Sequence, residues 1–148
     1  ARQGLVLGVD RSPEMLELAS RRNRRQIVEG RVQLRLASFG ELPWTSDTID
    51  SILAVNVAYF FSPDAREIRE ARRVLKPGGQ MAVYVTDKST MSHWKFSGPD
   101  THALYGEDDM RDLLARGGFN TADIAIRKVQ LGFGIRGLLA LGQKPPAS

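Results

Sequence analysis

Leu5-Val6-Leu7-Gly8-Val9-Asp10 is an apolar run that ends on a carboxylate and gives way at once to Ser12-Pro13-Glu14. The run has the composition of a strand. The residues after it carry the marks of a helix start, with Ser as N-cap, Pro at the first helical position and an acid in the first turn. A strand tipped by an acid and followed directly by a helix reads as the second strand of a nucleotide-binding α/β sheet. The carboxylate there accepts hydrogen bonds from the two ribose hydroxyls of an adenosine-containing cofactor. Only Ala1 to Gly4 stand upstream of Leu5, so the first strand of such a sheet and its glycine-rich loop are expected to be missing from this chain.

Downstream, strands and helices alternate. Met15, Leu18 and Ala19 recur at helical spacing as far as Asn23, and Val32-Gln33-Leu34-Arg35-Leu36 alternates apolar with polar, as an edge strand with one wet face does. Leu42-Pro43 interrupts the chain, and Ile49 to Val57 is mainly apolar, which predicts an inner strand. Ser62-Pro63-Asp64 opens the next helix, with Ile68, Ala71 and Leu75 on its buried side. Lys76-Pro77-Gly78-Gly79 stops that helix and turns the chain into an inner strand from Met81 to Val85. Residues 87 to 105 form a long stretch rich in Ser, Thr, His and aromatics, of a length that marks a functional loop. Glu107 to Arg116 reads as a helix ended by Gly117-Gly118. Ala122 to Val129 and Ile135 to Leu141 read as two strands joined by a turn, and Pro145 to Ser148 as a frayed tail.

Alternation of this kind implies a mostly parallel, doubly wound sheet covered on both faces. The last two strands lack a crossover helix and are therefore expected to be antiparallel. With 148 residues and no internal linker, the chain is read as one domain, 1–148. The absence of cysteine removes disulfides and thiolate metal sites and fits a reducing, cytoplasmic setting. No apolar run approaches the roughly 20 residues that span a bilayer. The formal net charge of +4 raises the question of nucleic acid. Much of the excess lies in Arg21, Arg22, Arg24 and Arg25, at the end of a predicted helix. Cations there complement the helix dipole, and no aromatic residues interleave with them to stack bases.

Four segments, taken in order, resemble a class I S-adenosylmethionine-dependent methyltransferase of the ubiquinone/menaquinone-methylase-like type (methyltransferase type 11). They are Gly8-Val9-Asp10-Arg11-Ser12-Pro13-Glu14-Met15-Leu16, Ala37-Ser38-Phe39-Gly40-Glu41-Leu42-Pro43, Ile49 to Phe61, and Arg72-Arg73-Val74-Leu75-Lys76-Pro77-Gly78-Gly79. The first is common to many Rossmann-like proteins. The Leu-Lys-Pro-Gly-Gly turn is more specific, and the ordered set covers nearly the whole chain. The resemblance implies a Rossmann-like sheet in the order 3-2-1-4-5-7-6 with strand 7 antiparallel, and here with strand 1 missing. It also implies S-adenosyl-L-methionine as cofactor and a small-molecule acceptor. A non-catalytic adenosine-binding or scaffold module of the same fold is the alternative. A nicotinamide-dependent oxidoreductase fits the acid-tipped strand but not the Leu-Lys-Pro-Gly-Gly turn. No Asn/Asp-Pro-Pro-aromatic signature of nucleic-acid amino-methylation stands at Asn56-Val57-Ala58-Tyr59.

By this resemblance Asp10 holds the ribose hydroxyls, with Arg11 and Met15 beside the adenosine. Ser38 stands where many members carry an Asp that accepts from the adenine amino group, and Phe39 either covers the adenine face or fills space under its loop. The backbone of Asn56 and Val57 lines the methionine portion. The competing role for Asp10 is to cap the helix after it. His93, His102 and Tyr59 are the catalytic candidates. Either histidine is read as a general base, with a solvated loop histidine as the plainer reading. Tyr59 is one of the aromatics Tyr59, Phe60 and Phe61, of which one or two are expected to face the acceptor and the rest to be core. Two histidines without clustered carboxylates do not make a metal site. A chain without strand 1 is expected to be inactive by itself, as the ordered or cut part of a longer, N-terminally truncated protein. It is also expected to self-associate through the open edges of its second and fourth strands.

Overall fold

The computed structural model describes residues 4–86, 105–132 and 135–147. The chain divides into two compact units, Ala1–Pro43 and Trp44–Ser148.

The first unit contains strand β1 (Val6–Asp10), helix α1 (Pro13–Arg22), a short helix α2 (Arg24–Val28) and strand β2 (Val32–Leu36). β1 and β2 are parallel, with Val6 opposite Val32 and Asp10 opposite Leu36. α1 starts as its sequence dictates: the Ser12 hydroxyl accepts from the Met15 amide at 3.2 Å, and Pro13 opens the first turn. The chain does not run straight from α1 to β2. The Asn23 side chain donates to the Ala19 carbonyl at 2.9 Å, and α2 then continues to Val28, an element the apolar spacing does not announce. The arginines at this corner are solvated. Arg21 pairs with Glu17 on one turn of helix, and Arg25 donates to Glu29 at 2.8 Å. Among the described residues of this unit only Leu42 is buried, and Met15 and Leu18 are exposed.

The second unit carries strands β3 (Ile49–Val55), β4 (Leu75–Thr86), β5 (Ile124–Gln130) and β6 (Arg136–Gln143), with helices α3 (Arg66–Val74) and α4 (Glu107–Arg116). Their ladder order is β3-β4-β6-β5. β3 and β4 are parallel, while β4–β6 and β5–β6 are antiparallel, so the terminal pair has the expected sense. The sheet is mixed and not mostly parallel, because β6 enters between β4 and β5 and turns two of its three ladders antiparallel.

Met81, Val83 and Val85 alternate onto one face, in register with Gly142, Ala140 and Leu138 of β6. α3 and α4 cover that face with Ile68, Ala71, Val74, Met110, Leu113 and Leu114, all buried. Close approach is built in at glycines. A Cβ on Gly117 would collide with the Ile68 side chain, and one on Gly142 would meet the Phe119 ring at 2.9 Å. On the other face Leu53 remains 68% exposed. The expectation of cover on both faces therefore holds for one face among the described residues: both described helices of this unit return on the same side. β3 likewise departs from the inner position its apolar run suggests, since it is an outer strand of this sheet. Side-chain polarity reports which faces are covered and says little about which backbone edges are paired.

Two further boundaries differ from expectation. Helix α3 starts at Arg66, after a turn closed by the Ala65 amide on the Ser62 carbonyl (2.9 Å) with Ala65 at φ +59°. Ser62 caps it from a distance, accepting from the Arg66 amide at 3.3 Å. Lys76-Pro77-Gly78-Gly79 ends α3 but lies inside β4 as an irregularity. Ile49 pairs with Leu75 and Ser51 with Gln80, so the ladder resumes after extra residues on the β4 side. Gly78 there adopts φ +79° and donates to the Lys144 and Pro145 carbonyls at 3.0 and 3.2 Å. The tail is thus anchored through Pro145 rather than frayed from that residue.

Candidate functional site

In the first unit, the carboxyl ends of β1 and β2 place Asp10 beside the turn that carries Ser38 and Phe39. The Ala37 amide donates to the Asp10 carbonyl at 3.1 Å, which holds the two strand ends together. Asp10 Oδ1 accepts from the Ser12 amide at 2.8 Å. The helix-capping role is therefore filled by one oxygen. A carboxylate has about four lone-pair sites, so this bond leaves acceptor capacity for a vicinal diol. Ser38 to Glu41 form a tight turn: the Glu41 amide donates to the Ser38 carbonyl at 3.1 Å, and the Ser38 hydroxyl accepts from the Gly40 amide at 3.2 Å. Ser38 and Arg11 are exposed, Phe39 is half-buried, and Met15 offers an exposed apolar surface one turn into α1. This edge thus collects a carboxylate, a hydroxyl, an aromatic ring and a thioether. An adenosine moiety asks for that donor set: acceptors for the ribose, and flat or soft apolar surface for the purine.

In the second unit, Asn56 and Val57 leave the carboxyl end of β3. Asn56 adopts φ +52°, a left-handed conformation that Asn tolerates better than most residues, and its amide donates to the Tyr84 carbonyl at 2.8 Å. A 3-10 turn over Ala58–Phe60 comes next. Tyr59 is 8% exposed, and its hydroxyl accepts from the Thr86 amide at 2.6 Å and donates to Asn56 Oδ1 at 3.2 Å. Burial raises the Tyr59 phenol above its ordinary pKa. A neutral, engaged phenol is suited to fixing geometry and poorly suited to accepting a proton at neutral pH. Tyr105, which sequence reasoning did not single out, is equally buried at 7% and donates to the Ala58 carbonyl at 2.8 Å. Its ring centroid lies 6.4 Å from that of Tyr59. The one local signal for it was an aromatic residue directly ahead of the Gly106 N-cap. His93 and His102 lie outside the described residues. Among the described residues, no group of three His, Asp or Glu side chains is placed to hold a metal ion, and no helix is long and apolar enough to cross a membrane.

A family described as "Methyltransferase domain" matches residues 1–83. The chain belongs to this methyltransferase family. S-adenosylmethionine is the cofactor of the family. The chain is 33% identical over 78 residues to the erythromycin 3''-O-methyltransferase of Saccharopolyspora erythraea, covering 53% of this chain and 26% of that protein. It is 33% identical over 88 residues to the demethylmenaquinone methyltransferase of Lactobacillus johnsonii, covering 59% of this chain and 36% of that protein. The chain thus spans roughly a quarter to a third of the curated relatives it matches. In fold it is similar to the S-adenosylmethionine-dependent methyltransferase of Thermotoga maritima described as a possible histamine N-methyltransferase. That likeness has a TM-score of 0.72 at 21% identity, over 94% of this chain and 72% of the other. It identifies an α/β Rossmann-like methyltransferase fold.

Proposed function

We propose that the full-length protein to which this chain belongs transfers a methyl group from S-adenosylmethionine to a small-molecule acceptor. The observation that carries this reading is Asp10: a carboxylate at the tip of β1, fixed by one oxygen on the Ser12 amide, beside the Ser38–Phe39 turn. When bound, the cofactor supplies a methyl group already activated on a sulfonium. The chain's part is to bind and orient it. Asp10 accepts from the ribose hydroxyls, Arg11 and Met15 flank the adenosine, and Ser38 and Phe39 meet the adenine. The Asn56–Val57 backbone is assigned to the methionine portion. Within each unit, the ladders have the neighbours that the order 3-2-1-4-5-7-6 gives to those strands, which supports the family fold. The small-molecule acceptor is supported by relatives named for a macrolide and a quinone precursor.

Titration calorimetry of the full-length protein with S-adenosylhomocysteine tests the reading. The Asp10→Ala variant is expected to bind about 1.5–3 kcal/mol more weakly than wild type, the loss of charge-assisted bonds to the ribose. Unchanged affinity in that variant would remove Asp10 from the site.

A further inference from the structure

The turn that leaves β3 is held by two phenols, each with one bond to a backbone group far away in sequence. Tyr59 Oη receives the Thr86 amide at the end of β4, and its own proton faces Asn56 Oδ1 at 3.2 Å and the Thr86 carbonyl at 3.4 Å. Tyr105 Oη, immediately ahead of α4, donates to the Ala58 carbonyl. One hydroxyl ties the turn to the strand beside it and the other ties it to the segment that leads into α4. The residue gripped by the first is Asn56, whose left-handed backbone is the strained point of the turn. Residues in such conformations persist where their surroundings over-determine them, and they cluster at ligand-binding sites.

We infer that Tyr59 and Tyr105 are positioning residues for ligand binding: they hold the Asn56–Val57 backbone in the conformation that receives the methionine end of the cofactor, Tyr59 acting through Asn56 and Tyr105 through Ala58. This rests on the assignment of Asn56 and Val57 under Proposed function. It gives Tyr59 a task other than proton transfer. The phenol is occupied as acceptor to the Thr86 amide and as donor toward Asn56 Oδ1 and the Thr86 carbonyl.

Two measurements separate this inference from the reading beneath it. Amide hydrogen exchange, monitored residue by residue without ligand, reports the anchoring itself. Tyr59→Phe should speed exchange at Thr86 and Asn56 by about tenfold, and Tyr105→Phe should speed it in the Ala58–Phe60 turn, with the β6 amides unchanged in both. Unchanged exchange would overturn the anchoring whatever the protein binds. Calorimetry of the full-length protein with S-adenosylhomocysteine reports its use. Tyr59→Phe should bind about five- to tenfold more weakly, the loss of one buried hydrogen bond. Asn56→Ala should lose a similar factor, Asn56→Asp should recover most of it, and the double variant Tyr59→Phe/Asn56→Ala should lose no more than either single one. Additive losses would show that Tyr59 does not act through Asn56. Wild-type affinity in Tyr59→Phe, with accelerated exchange, would make the anchor purely structural. An Asp10→Ala variant at wild-type affinity would instead defeat the adenosine assignment while leaving the exchange result standing.

Discussion

Tyr59 and Tyr105 each bury a hydroxyl that burial pushes above the ordinary tyrosine pKa. The linkage has a definite sign. The folded protein holds these protons more tightly than the unfolded chain does, so the stabilisation is complete below about pH 10 and is lost as pH rises through the folded-state values. The thermal midpoint is therefore expected to fall above about pH 10 more steeply in wild type than in the Tyr59→Phe/Tyr105→Phe variant. Equal slopes in the two proteins would assign the alkaline limb to other groups. The contrast between Asp10 and Tyr105 shows what can be read at this scale. Asp10 sits at a strand tip with its capping partner two positions away, so its place is set by local sequence. Tyr105 gains its meaning from the Ala58 carbonyl, 47 positions earlier, and no local pattern carries that contact.

Helix α3 shows how far an element is held by chain remote from it. The Lys144 side chain, 16% exposed, donates from Nζ to the Arg72 carbonyl at 3.0 Å and the Leu75 carbonyl at 2.7 Å, and pairs with Asp47 at 2.7 Å. An ammonium at a helix C-terminus answers both the orphan carbonyls and the dipole. Lys144→Met keeps the aliphatic stem and removes the donors, and is expected to cost about 1–2 kcal/mol in urea unfolding. A loss below about 0.3 kcal/mol would show that solvent replaces the cap. Element boundaries were legible where glycine punctuates them. α4 runs from Glu107 to Arg116 between Gly106 and Gly117, as its sequence reads. They were not legible where the backbone does something private. Ala65 turns left-handed and delays α3, and the Lys76–Gly79 segment is taken into β4 because the Lys144 carbonyl and amide bond to Gly78 and Gly79. The short helix α2 is polar and pairs its charges in solvent, so no apolar periodicity marks it.

Across the whole molecule, apolar burial is uneven. Every buried hydrophobic side chain among the described residues other than Leu42 belongs to residues 44–148. That segment is expected to give a cooperative thermal transition when produced alone, whereas residues 1–43 are expected to give none, being near the size below which a core does not sustain itself. Loss of cooperativity in 44–148 would mean that its core depends on the first unit. The sheet of that segment also sets an order of events. β4 sits between β3, which precedes it on the chain, and β6, whose Gly137 and Gln143 face Thr86 and Gln80 from far downstream in the sequence. During synthesis Met81, Val83 and Val85 therefore leave the ribosome with one neighbour already made and the other still untranslated. The longest strand of the sheet waits with an open edge until β6 emerges. For this chain, the exposure to misassembly is a matter of translation time, and it ends only when residues 136–143 arrive to close that edge.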